Sequence, residues 1–137
     1  SGKSWQQPYD KLVIATGAHA IVPDIPGADA EGVYTLRTVE DGIRLKSTVH
    51  GGEHKAIAIV GGGFIGLEMA EELTNSGLEV HLFEVMPRLL PFLEERFSAA
   101  VLDVLQKHGV YVHLNAEVAA LETADGHVCG VQTKDGA

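Results

Sequence analysis

Residues 56 to 84 read AIAIVGGGFIGLEMAEELTNSGLEVHLFE, and this stretch decides the fold of the chain. Five apolar residues come first, followed by the glycine pattern Gly61-x-Gly63-x-x-Gly66, a helix-like segment, and a second apolar stretch that ends at Glu84. An apolar run without alternation predicts a strand covered on both faces, as in a parallel sheet. The order strand, glycine turn, helix, strand and acid is typical of a βαβ unit that binds a dinucleotide.

Each glycine of the pattern has a physical role. Gly61 permits a tight turn off the strand, and Gly63 lets the main chain approach a pyrophosphate without a side chain in the way. Gly66 lets the helix lie close against the strand, and Ala70 continues that face one turn later. The diphosphate would lie at the helix N-terminus, where free N–H groups and the helix dipole favour negative charge. We therefore expect the turn from Gly61 to Gly66, including Gly62, to bind the cofactor.

Glu84 follows Gly66 by 18 residues, which places its carboxylate near the adenine ribose in this fold. A carboxylate there can accept hydrogen bonds from the 2′ and 3′ hydroxyls, and it would repel a 2′-phosphate. The sequence therefore predicts NAD(H) in preference to NADP(H). Arg88, just past the strand, is the one feature of this region that favours a 2′-phosphate.

The same residues bear on three other functions. A P-loop would need Gly-Lys-Ser/Thr, whereas Gly66 is followed by Leu67 and Glu68. An S-adenosylmethionine methyltransferase would carry acid-x-G-x-G-x-G, but Ile59 stands in the place of the acid and Ile65 in that of the third glycine. A stand-alone module that binds NAD(H) without catalysis stays open.

Composition excludes several further classes. The 137 residues, 45% hydrophobic and 21% charged, indicate one globular core. A net charge of −9 argues against nucleic acid or an anionic membrane as a partner. No apolar stretch reaches the length of a membrane span and no signal peptide is recognisable, so we expect a cytoplasmic protein. The single cysteine, Cys129, is expected to be buried in a strand, and the seven histidines show no ligand spacing, so no metal site is predicted.

The N-terminal third predicts irregular structure with two regular elements. Residues 12 to 15 read as a short buried strand, and a turn-rich connection containing Pro23 and Pro26 follows. Thr38 is expected to cap a short helix that Gly51 and Gly52 end. The candidate buried positions of that helix are Ile43, Leu45 and Val49.

The C-terminal third predicts a loop over residues 86 to 91, a helix from about residue 93 to 108 and a third parallel strand over residues 110 to 114. The apolar face of the helix is expected to hold Phe97, Val101, Val104, Leu105 and His108. Residues 118 to 121 and 127 to 133 predict an antiparallel hairpin. The fold class is thus α/β: a Rossmann-like βαβ parallel sheet with flanking helices and a C-terminal antiparallel β-meander.

Five segments together resemble the FAD-dependent pyridine nucleotide-disulfide oxidoreductases, most closely the branch of NADH oxidases and coenzyme A-disulfide reductases. The segments are YDKLVIATG at 9–17, IPG at 25–27, VYTLR at 33–37, GGGFIGLEMA at 61–70 and MPRLLP at 86–91. In that family the first segment closes part of the FAD domain and touches the flavin dinucleotide, and the next stretch crosses into an inserted NAD(P)H domain. The resemblance implies that residues 1–30 end an FAD-domain segment and form the crossover, and that 31–137 form a truncated NAD(P)H-binding domain.

The same resemblance assigns residues to cofactors. It implies that Thr16 and Gly17 contact FAD, that Phe64 and Ile65 lie along NADH, and that Glu68 faces the nicotinamide and flavin side. A first-turn carboxylate favoured by the helix dipole is the alternative for Glu68. No catalytic side chain is assigned, because the cofactors carry the chemistry.

A full member of the family also has an FAD glycine motif, redox cysteines, a return to the FAD domain and a dimerisation domain, none of which this sequence contains. We therefore expect a piece of an enzyme that passes hydride from NADH to FAD and on to a disulfide, oxygen or another acceptor. The missing FAD and dimerisation domains would be its partners. By itself the chain is expected to bind NADH and to be inactive.

Overall fold

The computed structural model describes residues 2–52 and 54–136. This part of the chain contains a parallel sheet of strand order β1-β2-β3 and a separate antiparallel pair, β4-β5. In chain order the elements are α1 Val39–His50, β1 Ala56–Val60, α2 Phe64–Asn75, β2 Glu79–Glu84, α3 Glu95–Lys107, β3 Tyr111–Leu114, β4 Val118–Ala124 and β5 His127–Thr133. The predicted α/β class and the βαβ unit are confirmed.

The core lies on one face of the parallel sheet, where α2 and α3 pack. Every second residue of β2 points into it, and Val80 and Leu82 are fully buried. Leu73 of α2 and Leu105 of α3 belong to the same buried cluster. The burial of these side chains fixes the register, because a shift of one residue would turn β2 over. Among the described residues, no helix combines the length and apolar character needed to cross a membrane.

The opposite face of the parallel sheet is covered less well, and one prediction fails there. β1 was expected to be buried on both faces, but its residues alternate between exposed and partly buried, and Val60 is 56% exposed. Among the strands that the structure describes, β1 pairs only with β2, so it is an edge strand with one face toward the helices. An unbroken apolar run is consistent with either arrangement.

The predicted buried strand at residues 12–15 is wrong. This segment has no regular secondary structure, and Leu12, Val13 and Ile14 are 62%, 83% and 79% exposed. A strand exists only when a neighbour pairs with its N–H and C=O groups, and no strand of the described residues does so. The local sequence indicates that the segment tends to form a strand, but it does not indicate whether another strand pairs with it.

The cap of α1 is confirmed. Thr38 Oγ1 accepts a hydrogen bond from the N–H of Asp41 at 3.2 Å, and Asp41 Oδ2 accepts one from the N–H of Thr38 at 2.9 Å. Main-chain donors at Thr38 and Arg37 hold the pKa of Asp41 below its usual value. Gly51 caps the C-terminus as predicted. Ile43, however, is 63% exposed rather than buried, and Leu45 and Val49 are only partly buried.

The C-terminal predictions hold for the elements but not for every buried position. α3 buries Ser98 and Leu105, whereas the predicted core residues Phe97 and Val104 are about half exposed. Asp125 and Gly126 form the hairpin turn with positive φ angles of 50° and 84°, as residues of a type I′ turn do. Cys129, expected to be buried, is exposed, because it lies on the outward face of β5 in a two-stranded sheet.

Candidate functional site

The site begins where β1 ends and α2 starts. Gly61 has a φ of +113°, which a residue with a side chain adopts only with strain. Its N–H donates to the carbonyl oxygen of Phe83 at 2.8 Å, so the turn stays tied to β2. Gly63 then serves as the N-cap of α2 in an extended conformation, without a side chain that could bond to the helix. The first N–H groups of α2 are consequently directed toward the space in front of the turn.

The first and third glycines of the pattern lie in direct contact. A Cβ atom built on Gly66 would overlap the carbonyl oxygen of Gly61 and would lie 3.4 Å from Cγ2 of Ile59. α2 therefore approaches the end of β1 closely, as the sequence predicted. Ala70 continues this contact one turn later and is completely buried.

Gly63 has the opposite environment. A Cβ atom built on it would have no heavy atom within 4 Å among those compared, so the side of the turn that it faces is open. The first turn of α2 carries no acidic side chain. An open surface, free N–H groups and the positive end of the helix dipole together form a site suited to an anion.

The structure brings Glu84 to this turn in a way that the sequence did not predict. Its side chain is 9% exposed. Oε2 accepts a hydrogen bond from the N–H of Gly62 at 2.7 Å, and Oε1 accepts one from the N–H of Met86 at 2.8 Å. Each carboxylate oxygen has two acceptor positions, and each of these two bonds uses one of them.

Two aromatic rings stand beside the turn. Phe64 and Ile65, both predicted to lie along the cofactor, are 62% and 60% exposed. The ring of Phe64 contacts that of Phe92, with centroids 5.4 Å apart and planes inclined by 50°. Sequence reasoning missed Phe92 because it lies in a loop, outside any periodic pattern.

Glu68 is exposed but lies beyond the first turn of α2, so stabilisation by the helix dipole in that turn does not explain why an acid stands at this position.

The loop after β2 is held by its own hydrogen bonds. The carbonyl oxygen of Met86 accepts from the N–H of Asn115 at 3.1 Å, which joins this loop to the end of β3. Arg88 Nη2 donates to the carbonyl oxygen of Pro91 at 2.7 Å. This bond uses one of the five N–H donors of Arg88 and joins its guanidinium to the loop.

Thr16 and Gly17, assigned to FAD by resemblance, lie in the exposed N-terminal segment. Gly17 has a φ of +79°. Within the described residues, no hydrogen bond or ring contact joins either of them to the glycine turn.

No group of three or more His, Cys, Asp or Glu in the described part of the chain has an arrangement that could hold a metal ion.

A pair of histidines lies on the less covered face of the parallel sheet. His81 Nδ1 and His113 Nε2 are 3.1 Å apart, and His81 Nε2 is 3.0 Å from Glu79 Oε1. The rings of Tyr111 and Phe83 stack against the pair. Burial, and secondarily the neighbouring His81, lower the pKa of His113 below its ordinary value of 6.5.

The folded protein is expected to lose stability as the pH falls through about 6.5, because His113 binds a proton more readily in the unfolded chain. Urea unfolding between about pH 7.5 and 5.5 measures this slope. Replacing His113 with glutamine should flatten it, and replacing the exposed His50 with glutamine should not. An unchanged slope in the His113 variant would contradict the assignment.

Comparison with known proteins identifies the family of this chain. The family model described as pyridine nucleotide-disulphide oxidoreductase matches residues 1–137. A protein named NADH oxidase from Methanocaldococcus jannaschii is 41% identical over 115 residues, which cover 83% of this chain and 26% of that protein. The chain thus spans about a quarter of the length of this relative.

Solved structures agree with this result. The water-forming NADH oxidase from Lactobacillus brevis, bound to NADH, has a TM-score of 0.81 at 29% identity and covers 94% of this chain and 28% of its own. An engineered form of it is a water-forming NADPH oxidase bound to NADPH, with a TM-score of 0.81 at 27% identity over 95% of this chain and 28% of its own. The reduced CoADR-RHD protein of Bacillus anthracis has a TM-score of 0.81 at 36% identity, over 89% of this chain and 22% of its own.

These matches confirm the resemblance inferred from the sequence motifs, including the branch that contains NADH oxidases. The relatives are named as oxidoreductases, and the matched fold is the one described above. The chain belongs to the pyridine nucleotide-disulphide oxidoreductase family.

Proposed function

We propose that residues 31–137 form the NADH-binding domain of a flavoprotein oxidoreductase, and that residues 1–30 end its FAD-domain segment and form the crossover. In the complete protein, bound NADH would supply hydride to FAD, and electrons would pass on to a disulfide, oxygen or another acceptor. The observation that carries this proposal is the glycine turn, which is closed at Gly66, open at Gly63 and hydrogen-bonded through Gly62 to Glu84.

The turn suits a pyrophosphate despite the acidic character of the chain. A net charge of −9 opposes anion binding over most of the surface. That repulsion is screened over about 8–10 Å at ordinary ionic strength, whereas the N–H groups of α2 would act within hydrogen-bond distance. Local main-chain donors therefore decide the interaction, and no basic side chain is needed.

NADH is the expected nucleotide because Glu84 places a negative charge beside the ribose position. A 2′-phosphate there would meet the carboxylate, and the nearby cation of Arg88 already donates to its own loop. The NADH-bound relative from Lactobacillus brevis supports this assignment, and its engineered NADPH-bound form carries five substitutions. We infer that a few substitutions around the site decide the preference.

We propose roles for the other candidate residues as well. Phe64 and Ile65 would lie along the cofactor and shield it from water, and Glu68 would face the nicotinamide end. Thr16 and Gly17 would contact FAD in the complete protein. The task of the chain is to hold the nicotinamide ring in a fixed orientation toward the flavin. The proposal includes a cytoplasmic location and no nucleic-acid or membrane partner, which the net charge supports.

Calorimetric titration of the chain with NADH, NADPH and S-adenosylmethionine tests the proposal. NADH should bind at least about tenfold more tightly than NADPH, and S-adenosylmethionine should give no binding heat. The chain alone should not oxidise NADH. Absence of NADH binding, or turnover of NADH without an added flavoprotein, would overturn the proposal.

A further inference from the structure

The carboxylate of Glu84 joins two main-chain segments that lie far apart in the sequence. Its bond partner Gly62 lies 22 residues earlier, in the middle of the glycine turn, and its second partner Met86 starts the next loop. We propose that Glu84 is a positioning residue that fixes the pyrophosphate-binding turn, in addition to any contact it makes with ribose. This inference rests on the proposed function, since it concerns the same nucleotide site.

The geometry of the two bonds supports this role. Their lengths of 2.7 Å and 2.8 Å are those of charge-assisted hydrogen bonds. The side chain is almost completely buried, and a buried carboxylate is retained only where donors offset its lost hydration. Both donors belong to the main chain, so the bonds constrain the backbone directly.

Packing around Gly62 shows that the turn is shaped to receive the carboxylate. A Cβ atom on Gly62 would lie 2.5 Å from Cδ2 of Leu89 and 3.0 Å from Oε2 of Glu84. Glycine at this position therefore admits the close approach of the acid. Gly62, the glycine between Gly61 and Gly63, thus serves Glu84, while Gly61 serves the turn and Gly66 the helix contact.

The bonds extend across the ends of all three parallel strands. Gly62 follows β1, Glu84 ends β2, and the carbonyl oxygen of Met86 accepts from the N–H of Asn115 after β3. Removing the carboxylate would thus free the N–H of Gly62 in the turn, although Gly61 would stay bonded to Phe83. A substitution at Glu84 intended to admit NADPH would consequently also weaken the binding of the diphosphate.

Two ligands separate this role from a ribose contact: ADP, and 2′,3′-dideoxy-ADP, which lacks both hydroxyls. Glu84→Gln keeps the size of the side chain but leaves only one oxygen to accept a bond. It should weaken 2′,3′-dideoxy-ADP by a factor of about ten or more, and ADP by at least as much, because ADP also loses its ribose contact with the carboxylate. Glu71→Gln removes the same charge from the exposed side of α2 and should weaken neither. A loss confined to ADP would overturn the positioning role and leave the proposed function intact.

If the wild-type chain binds neither ADP nor NADH, the proposed function fails, and this inference fails with it. Amide hydrogen exchange tests the bonds without any ligand. The N–H groups of Gly62 and Met86 should be protected in the wild-type chain and should exchange faster in Glu84→Gln. That of Gly61, which donates to Phe83, should change less. If Glu84→Gln does not fold, hydrogen exchange of the wild-type chain still tests the inference. Exchange of the Gly62 N–H at the rate of an unprotected amide would overturn it.

Discussion

Replacing Gly66 with valine is expected to lower the free energy of unfolding by about 3 kcal/mol or more. The first added carbon would overlap the carbonyl oxygen of Gly61, which is backbone and cannot rotate away. α2 would have to move off β1, and the buried contacts of Ala70 and Leu73 would be disrupted. Urea or thermal unfolding followed by circular dichroism measures the loss.

The matched control is Glu71→Val, which places the same β-branched residue on the exposed side of α2. The free energy of unfolding of this variant should fall only by the difference in helix propensity between glutamate and valine, about 0.5 kcal/mol. Equal stabilities of the two variants would show that the helix does not need its close approach to the glycine turn.

Replacing Gly63 with alanine should have the reverse effect, with a stability change below about 1 kcal/mol and a loss of NADH affinity of roughly 10- to 100-fold. Its φ of −82° is accessible to alanine, and the added methyl group would meet no protein atom within 4 Å. It would instead occupy the space in which we propose that the pyrophosphate lies. Calorimetric titration with NADH, combined with unfolding of the same sample, separates the two effects.

Gly42→Ala is the control for this experiment. Gly42 lies in α1, and the added methyl group would only make an ordinary contact with the side chain of Leu36 at 3.8 Å. NADH affinity should not change in that variant. Unchanged affinity in the Gly63 variant as well would mean that the nucleotide does not pass over the glycine turn.

The central βαβ unit could be predicted because its signals are local. The apolar runs, the helix between them and the glycine spacing all lie within 29 residues, from Ala56 to Glu84. The contact between Gly66 and Gly61 follows from the role of the third glycine in such a unit, which is close packing of the helix on the strand. These features therefore appear in the structure as the sequence predicted them.

The failed predictions concern burial, which depends on distant neighbours. Residues 12–15 have the composition of a buried strand but lack a pairing strand among the described residues. Cys129 lies in the predicted strand, yet its side chain faces away from the partly buried side of the hairpin. Apolar character alone cannot tell which face of an element another element will cover.

The hydrogen bonds of Glu84 could not be predicted for a similar reason. Its position at the end of β2 follows from the spacing after Gly66, but the direction of its side chain depends on which donors the fold places nearby. Met86 lies only two residues away, but the N–H of Gly62 becomes a partner only once β1 and β2 pair in parallel. The sequence indicated the residue, and the structure revealed a second set of partners for it.

A crystal structure of the chain with NADH tests the central claim most directly. We expect the pyrophosphate to lie within hydrogen-bond distance of the N–H groups at the start of α2, next to Gly63. We also expect the adenine ribose to lie against the carboxylate of Glu84. NADH bound at another surface, or a ribose out of reach of Glu84, would contradict the account.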